Sequence, residues 1–293
     1  MNNSNNIFAP FGKKKQKKQI KPLNFDDPWL MVKKWYSSDL GQALLNSEKH
    51  HLNKLLEQVF GYNLVQLGCL DGSELTKEFR TSYQYILESS YKMKQEEQIS
   101  SSAHIITNFD ELAIQNQSVD AVILPHTLEF EQNPHQILRE VERILVAEGK
   151  AIILGFNPFS LWGRWHKYWE VRSRTFSSKK FSLRENSLTP LPSCGHLISQ
   201  KRIGDWLKLL GFDVEQVSEY FYRPPISRSV LLKQLEFMEQ AGQLSKLLPA
   251  GGYLLVATKR VSTLTPIREG WKFSKTIIGS ETIEPARFNP DNS

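Results

Sequence analysis

Short apolar runs alternating with helix-patterned stretches fill residues 50–260, and that alternation leaves few folds open. Runs 64–67, 119–124 and 151–155, interrupted by no polar residue but Gln66 and Asp120, are too brief and too apolar to be half-exposed hairpin strands. Runs 84–87 and 105–107 are weaker strand candidates, and 212–218 and 253–259 complete the set. Between them lie 3.6-residue stripes: Leu52, Leu55, Leu56, Val59 and Phe60 before Gly61; Ile203, Trp206, Leu207 and Leu210 between Ser199 and Gly211. The clearest helix starts at Asn133 and Pro134, a good N-cap and first-turn pair, and carries Ile137, Leu138, Val141, Ile144 and Leu145 up to Gly149. A further helix is expected at 227–241, with Leu231, Leu235 and Met238 on one side. Brief apolar strands alternating with helices predict an α/β fold whose mainly parallel sheet is covered on both faces.

Such sheets bind ligands beyond the carboxyl ends of their strands. That directs attention to the segments after Leu67, Leu87, Leu124 and Gly155. The first reads LVQLGCLDGSEL. Gly68 and Gly72 bracket a turn between strand and helix, where the backbone can approach a ligand and helix amides point outward. The segment is equally a tight structural turn. It lacks the three-glycine dinucleotide fingerprint and the lysine-bearing phosphate loop, which disfavours NAD and ATP.

VQLGCLDG resembles LDLGCGTG, the first motif of class I S-adenosylmethionine-dependent methyltransferases. QNQSVDAVILPHTLEF is similar to that family's fourth-strand segment, followed in order by the helix PHQILREVERILVAEGK and the fifth strand AIILGF. The run resembles the small-molecule type 11 branch, which includes quinone-biosynthesis methyltransferases. PHTLEF, LREVERIL, GFNPFSLWG, CGHLIS, DWLKLLGF and YRPP further resemble a bacterial subgroup of methyltransferase-domain proteins. The resemblance covers roughly residues 30–260. It implies a Rossmann-like, seven-stranded, mostly parallel sheet with a final antiparallel strand at 253–259, a helical N-terminal extension over 28–60 and lid insertions at 156–198 and 220–250.

It also implies S-adenosylmethionine as cofactor, held by Gly68, Cys69, Leu70 and Gly72. Glu88 would accept from both ribose hydroxyls, which suits a carboxylate; the same residue is equally readable as a surface glutamate. Asn108, with Asp110 beside it, falls where the family places an acid near the adenine. The chain departs from the family at Leu70, where the motif has glycine, and at Gln66 and Asn108, where it has acids. Those departures keep open a degenerate member that binds ligand or partner without turnover.

Methyl transfer requires closeness, alignment and sometimes a base. His126 and Glu129 follow the fourth strand at the expected mouth. His126 can serve as a general base or orient the acceptor, with Glu129 orienting it in turn; alternatively it only ties down the loop. Asn157-Pro158 reads as a turn. Residues 159–198 mix aromatics with Arg164, Lys167, Arg172, Arg174, Lys179 and Lys180, as expected of a substrate lid, a nucleic-acid or membrane contact, or a helix packed on the domain. No metal site is expected from Cys194 and His196.

The net charge of +6 is local, since residues 1–25 hold six lysines and no acid. The expected organisation is a disordered basic tail over 1–27, a methyltransferase domain over 28–260 and a mostly irregular tail over 261–293. The tail allows nucleic acid as a partner beside a small-molecule acceptor. Two cysteines, no secretory pattern and no long apolar run lead to the expectation of a cytoplasmic protein without a transmembrane segment.

Overall fold

A computed structural model describes residues 28–57, 59–70, 75, 83–89, 103–175, 191, 195–225, 234–235, 238–239, 242 and 249–261. The expected tail at 1–27, all of the expected tail at 261–293 but Val261, Gly72, and most of the helix expected at 227–241 lie outside the described residues.

Two helices open the described chain, α1 (Pro28–Tyr36) and α2 (Asp39–Leu56). Ser38 caps the second, accepting from Gly41 N. Five parallel-type strands follow: β1 (Asn63–Leu67), β2 (Tyr83–Ser89), β3 (Ala103–Thr107), β4 (Val119–Pro125) and β5 (Leu145–Phe156). Between the last two lie α3 (Thr127–Phe130) and α4 (Pro134–Ile144). The chain continues through α5 (Leu161–Thr175), α6 (Gln200–Leu209), β6 (Phe212–Tyr220) and β7 (Gly252–Lys259).

The seven strands form one sheet in the order β3-β2-β1-β4-β5-β7-β6. Only β7 runs against its neighbours, pairing antiparallel with β5 and β6. This is the Rossmann-like, mostly parallel sheet with a reversed final strand that the resemblance implies. Successive residues of a strand face opposite sides. Leu64, Ile123, Ile152, Leu154 and Leu254 therefore join one core with α1 and α2, whereas Val65, Val122, Leu124, Ile153 and Leu255 join another with α4 and α6. Each such side chain, buried completely, contributes about 1.5–3 kcal/mol.

Three local expectations need correction. Phe60, placed in the buried stripe of a helix, is 83% exposed, because α2 ends at Leu56. The helix expected to run to Gly149 ends at Ile144. Leu145 instead pairs with Val119, and the ladder resumes at Ala121 with Lys150 after a bulge. Asn133 does precede that helix, but its side chain makes no cap bond and donates to Asp110 Oδ2 at 2.9 Å.

The strand order reverses between β1 and β4, so the crevice opens beyond Leu67 and Pro125.

Candidate cofactor and acceptor site

At the end of β1 the chain turns at Gly68, whose φ of 96° is left-handed. Its N–H donates to Leu87 O at 2.8 Å, locking the turn to β2. Cys69 and Leu70 follow, both buried. Gln66 points its amide at this turn, and Nε2 donates to Gly68 O at 2.8 Å. Its Oε1 is buried with no hydrogen-bond partner. A buried carbonyl without a donor costs about 1–3 kcal/mol, so the turn holds an acceptor suited to a cationic N–H.

One helix covers this turn. Trp29 of α1 lies against Gly68, where an added Cβ would meet its Cη2 at 2.4 Å. The indole packs edge-on to Phe109 (6.2 Å) and near Phe130 (6.1 Å), and its Nε1 donates to Glu131 at 2.7 Å. One turn further along α1, Lys33 Nζ reaches Glu88 Oε2 at 3.4 Å, at the end of β2. Thus α1 touches the ends of the first two strands together. Gly68→Ala combines an unfavourable φ with a collision on Trp29. It is expected to lower stability by about 1–2 kcal/mol, read from thermal unfolding.

Asn108 and Asp110 sit in the turn after β3. Asn108 Oδ1 accepts from Asp110 N at 3.2 Å, and Asp110 Oδ2 is held by Asn133. Phe109 between them is buried beneath Trp29. This turn therefore shares the α1-covered end of the sheet.

Past β4 the structure assembles a cluster that the sequence reading found only in part. His126 adopts a left-handed φ of 57° and is completely buried. Its Nδ1 meets Glu129 Oε2 at 2.9 Å, the pairing expected from their spacing. Its Nε2 meets Glu48 Oε1, from α2, also at 2.9 Å. The ring stacks on Phe156 at 4.0 Å. Glu129 Oε1 accepts from Phe156 N, and Glu48 Oε1 accepts from the hydroxyls of Tyr36 (3.2 Å) and Tyr220 (3.3 Å).

Burial by itself pulls the His126 pKa down, but the Glu48 charge and the hydrogen bonds from Glu129 and Glu48 outweigh it and raise the value to about 9. Burial pushes the Glu129 carboxyl up, against the pull of His126. Near neutral pH the protonated ring donates to both Glu48 and Glu129. That arrangement favours the alternative in which His126 ties down the loop over a general base. With both ring nitrogens engaged and no surface exposed, His126 has no lone pair to offer an acceptor. Glu129 likewise is spent on His126 and the β5 backbone. Glu48 was missed, although it left a signal: Leu40, Leu44, Glu48, Leu52 and Leu56 stand four apart, and a lone acid within such a stripe needs a buried partner.

Residues 65–153 match the methyltransferase-domain family. This segment is similar to a methyltransferase domain. The curated "Uncharacterized protein YafS" of Escherichia coli K12 is 28% identical over 192 residues, spanning 65% of this chain and 69% of that protein. Among solved structures, an S-adenosylmethionine-dependent methyltransferase of Thermotoga maritima superposes with a TM-score of 0.54 at 15% identity, covering 80% of this chain and all of the other. A methyltransferase solved in complex with the Haloferax volcanii Trm112 activator gives 0.51 at 15% identity, covering 79% and 99%. These likenesses show the fold. S-adenosylmethionine is the cofactor that the domain family implies. The left-handed Gly68 and the unpartnered Gln66 Oε1 fit it at the turn after β1, with α1 lying across the same place.

Proposed function

We propose that the chain transfers a methyl group from S-adenosylmethionine to a small molecule. The observation that carries this reading is the buried, unpartnered Gln66 Oε1 beside the left-handed Gly68 turn. It is an acceptor in want of a charged donor, which the cofactor's ammonium supplies. The cofactor's chemical contribution is a methyl group on a sulfonium, ready for in-line displacement. Gln66 and the Gly68–Cys69–Leu70 turn hold the amino-acid end. Glu88 receives the ribose hydroxyls once Lys33 gives way, and the turn bearing Asn108 and Asp110 borders the adenine. The Glu48–His126–Glu129 cluster fixes the backbone at the end of β4 and excludes water. His126 and Glu129 thus position the site rather than take the acceptor's proton. An acceptor reaching a mouth roofed by α1 must be compact, which favours a small molecule over a folded nucleic acid.

Calorimetric titration with S-adenosylmethionine and S-adenosylhomocysteine tests the reading. Saturable one-site binding is expected, and no heat with either ligand would remove it. Gln66→Leu is expected to weaken binding about fivefold, the worth of roughly one net hydrogen bond.

The pairing of Lys33 with Glu88 and the seat of Trp29 on Gly68 favour a second reading, a methyltransferase-fold protein without turnover. Binding of both ligands, with no labelled product from small-molecule extracts, would select it.

A further inference from the structure

The helix just past β5 buries one face against the domain and exposes the other. Trp162 is 2% exposed, donates from Nε1 to Arg223 O at 2.7 Å and packs on Phe221 at 5.3 Å and Trp35 at 6.4 Å. Gly163 lies so close to the Pro158 backbone that a Cβ would collide at 2.5 Å. His166 is buried on the same side. These contacts fix the rotation of α5. They leave Leu161 (45% exposed), Trp165 (49%) and Tyr168 (58%) outward, next to Phe159 (70%) in the preceding turn. Arg164 and Lys167 are exposed among them.

We propose that this face of α5 docks on the surface of an anionic phospholipid bilayer. Outward Trp and Tyr beside Leu and Phe, edged by Arg and Lys, is the composition that settles at a lipid headgroup boundary. An aliphatic Leu161 in the middle of the face gains little from nucleic-acid bases, which reward flat stacking surfaces instead. One shallow helix face anchors weakly, and stable attachment takes a second signal. The sequence holds one: Ile7, Phe8 and Phe11 immediately precede five lysines within residues 13–18, a cluster suited to an anionic leaflet. Only four residues separate the end of β5 from α5. Docking would therefore turn the carboxyl ends of the strands toward the lipid. On the methyltransferase reading, an acceptor dissolved in the bilayer would then enter without crossing water.

Co-sedimentation of the full chain with phosphatidylcholine vesicles, with and without phosphatidylglycerol, tests the docking. Binding is expected only with phosphatidylglycerol. The exposed-site variant Leu161→Ser/Trp165→Ser is expected to weaken it about tenfold at unchanged thermal stability. Arg164→Glu/Lys167→Glu, which touches no apolar contact, is expected to weaken it as well. The proposal is overturned if the full chain ignores phosphatidylglycerol vesicles. It is equally overturned if both variants bind as the parent does, which would leave the lysine tail as the sole contact, or if an RNA oligonucleotide strips the chain from vesicles and loses affinity with the same variants. Cofactor titration of each variant keeps failure of docking distinct from failure of the methyltransferase reading.

Discussion

His126→Ala lowers the unfolding free energy by about 3–5 kcal/mol in guanidinium titrations at pH 7, the usual cost of stripping one partner from a buried charge cluster. The loss arises from what stays behind. Glu48 and Glu129, both buried, would face each other's charge with no cation between them. The same cluster gives wild-type stability a pH dependence whose sign is fixed. The folded His126 pKa of about 9 lies above the unfolded value of 6.5, so its stabilisation is whole below 6.5 and disappears as pH rises through about 9. Glu129, also raised in the folded state, acts in the same direction, losing stability as pH climbs past the ordinary carboxylate range. Denaturation midpoints from pH 6 to pH 10 should therefore fall for the wild type and fall much less for His126→Ala. Parallel curves for the two proteins would refute the protonated cluster.

Trp29→Ala/Lys33→Ala is expected to tighten S-adenosylhomocysteine binding ten- to hundredfold by calorimetry. In the described state these two side chains of α1 stand on Gly68 and Glu88, the turn and the carboxylate proposed for the ligand. A ligand that must first displace α1 has its affinity reduced by the fraction of molecules already open, and a hundredfold deficit corresponds to about one molecule open in a hundred. Removing the indole and the ammonium removes the competitor. Partial exposure of the Lys33–Glu88 pair limits what its loss costs the fold, so the stability cost of the double variant comes from Trp29, packed on Phe109 and Phe130. Weaker binding by the double variant would mean that α1 belongs to the bound site, with Trp29 contacting the ligand.

The sheet was legible because its strands are brief and apolar where both faces are covered. Residues 151–155 carry no polar side chain, and 119–124 only Asp120, whose carboxylate is spent on the N–H groups of Tyr62 and Asn63. The helix-to-strand change at Leu145 was not legible, because Leu145 completes the apolar stripe of α4 and only its pairing with Val119 makes it a strand residue. At the site, the Gly68 turn and the contact between His126 and Glu129 follow from spacing along the chain. Glu48 and Trp29 do not: one reaches His126 across 78 residues and the other reaches Gly68 from a separate helix. Local pattern placed His126 at the mouth and missed that a second carboxylate occupies its remaining nitrogen. A histidine with one free nitrogen and a histidine with none look identical in sequence but differ in chemistry.

The reach of Glu48 sets where this molecule can be divided. The segment sharing a family begins at residue 65, yet the carboxylate that completes the His126 cluster, and the helices that close one face of the sheet, lie before it. A fragment that began at the family border would cut into β1, leave a cation half-neutralised and put a flank of leucines in water. The heritable motif and the smallest autonomous folding unit are thus different lengths of chain, and a truncation series must retain α1 and α2.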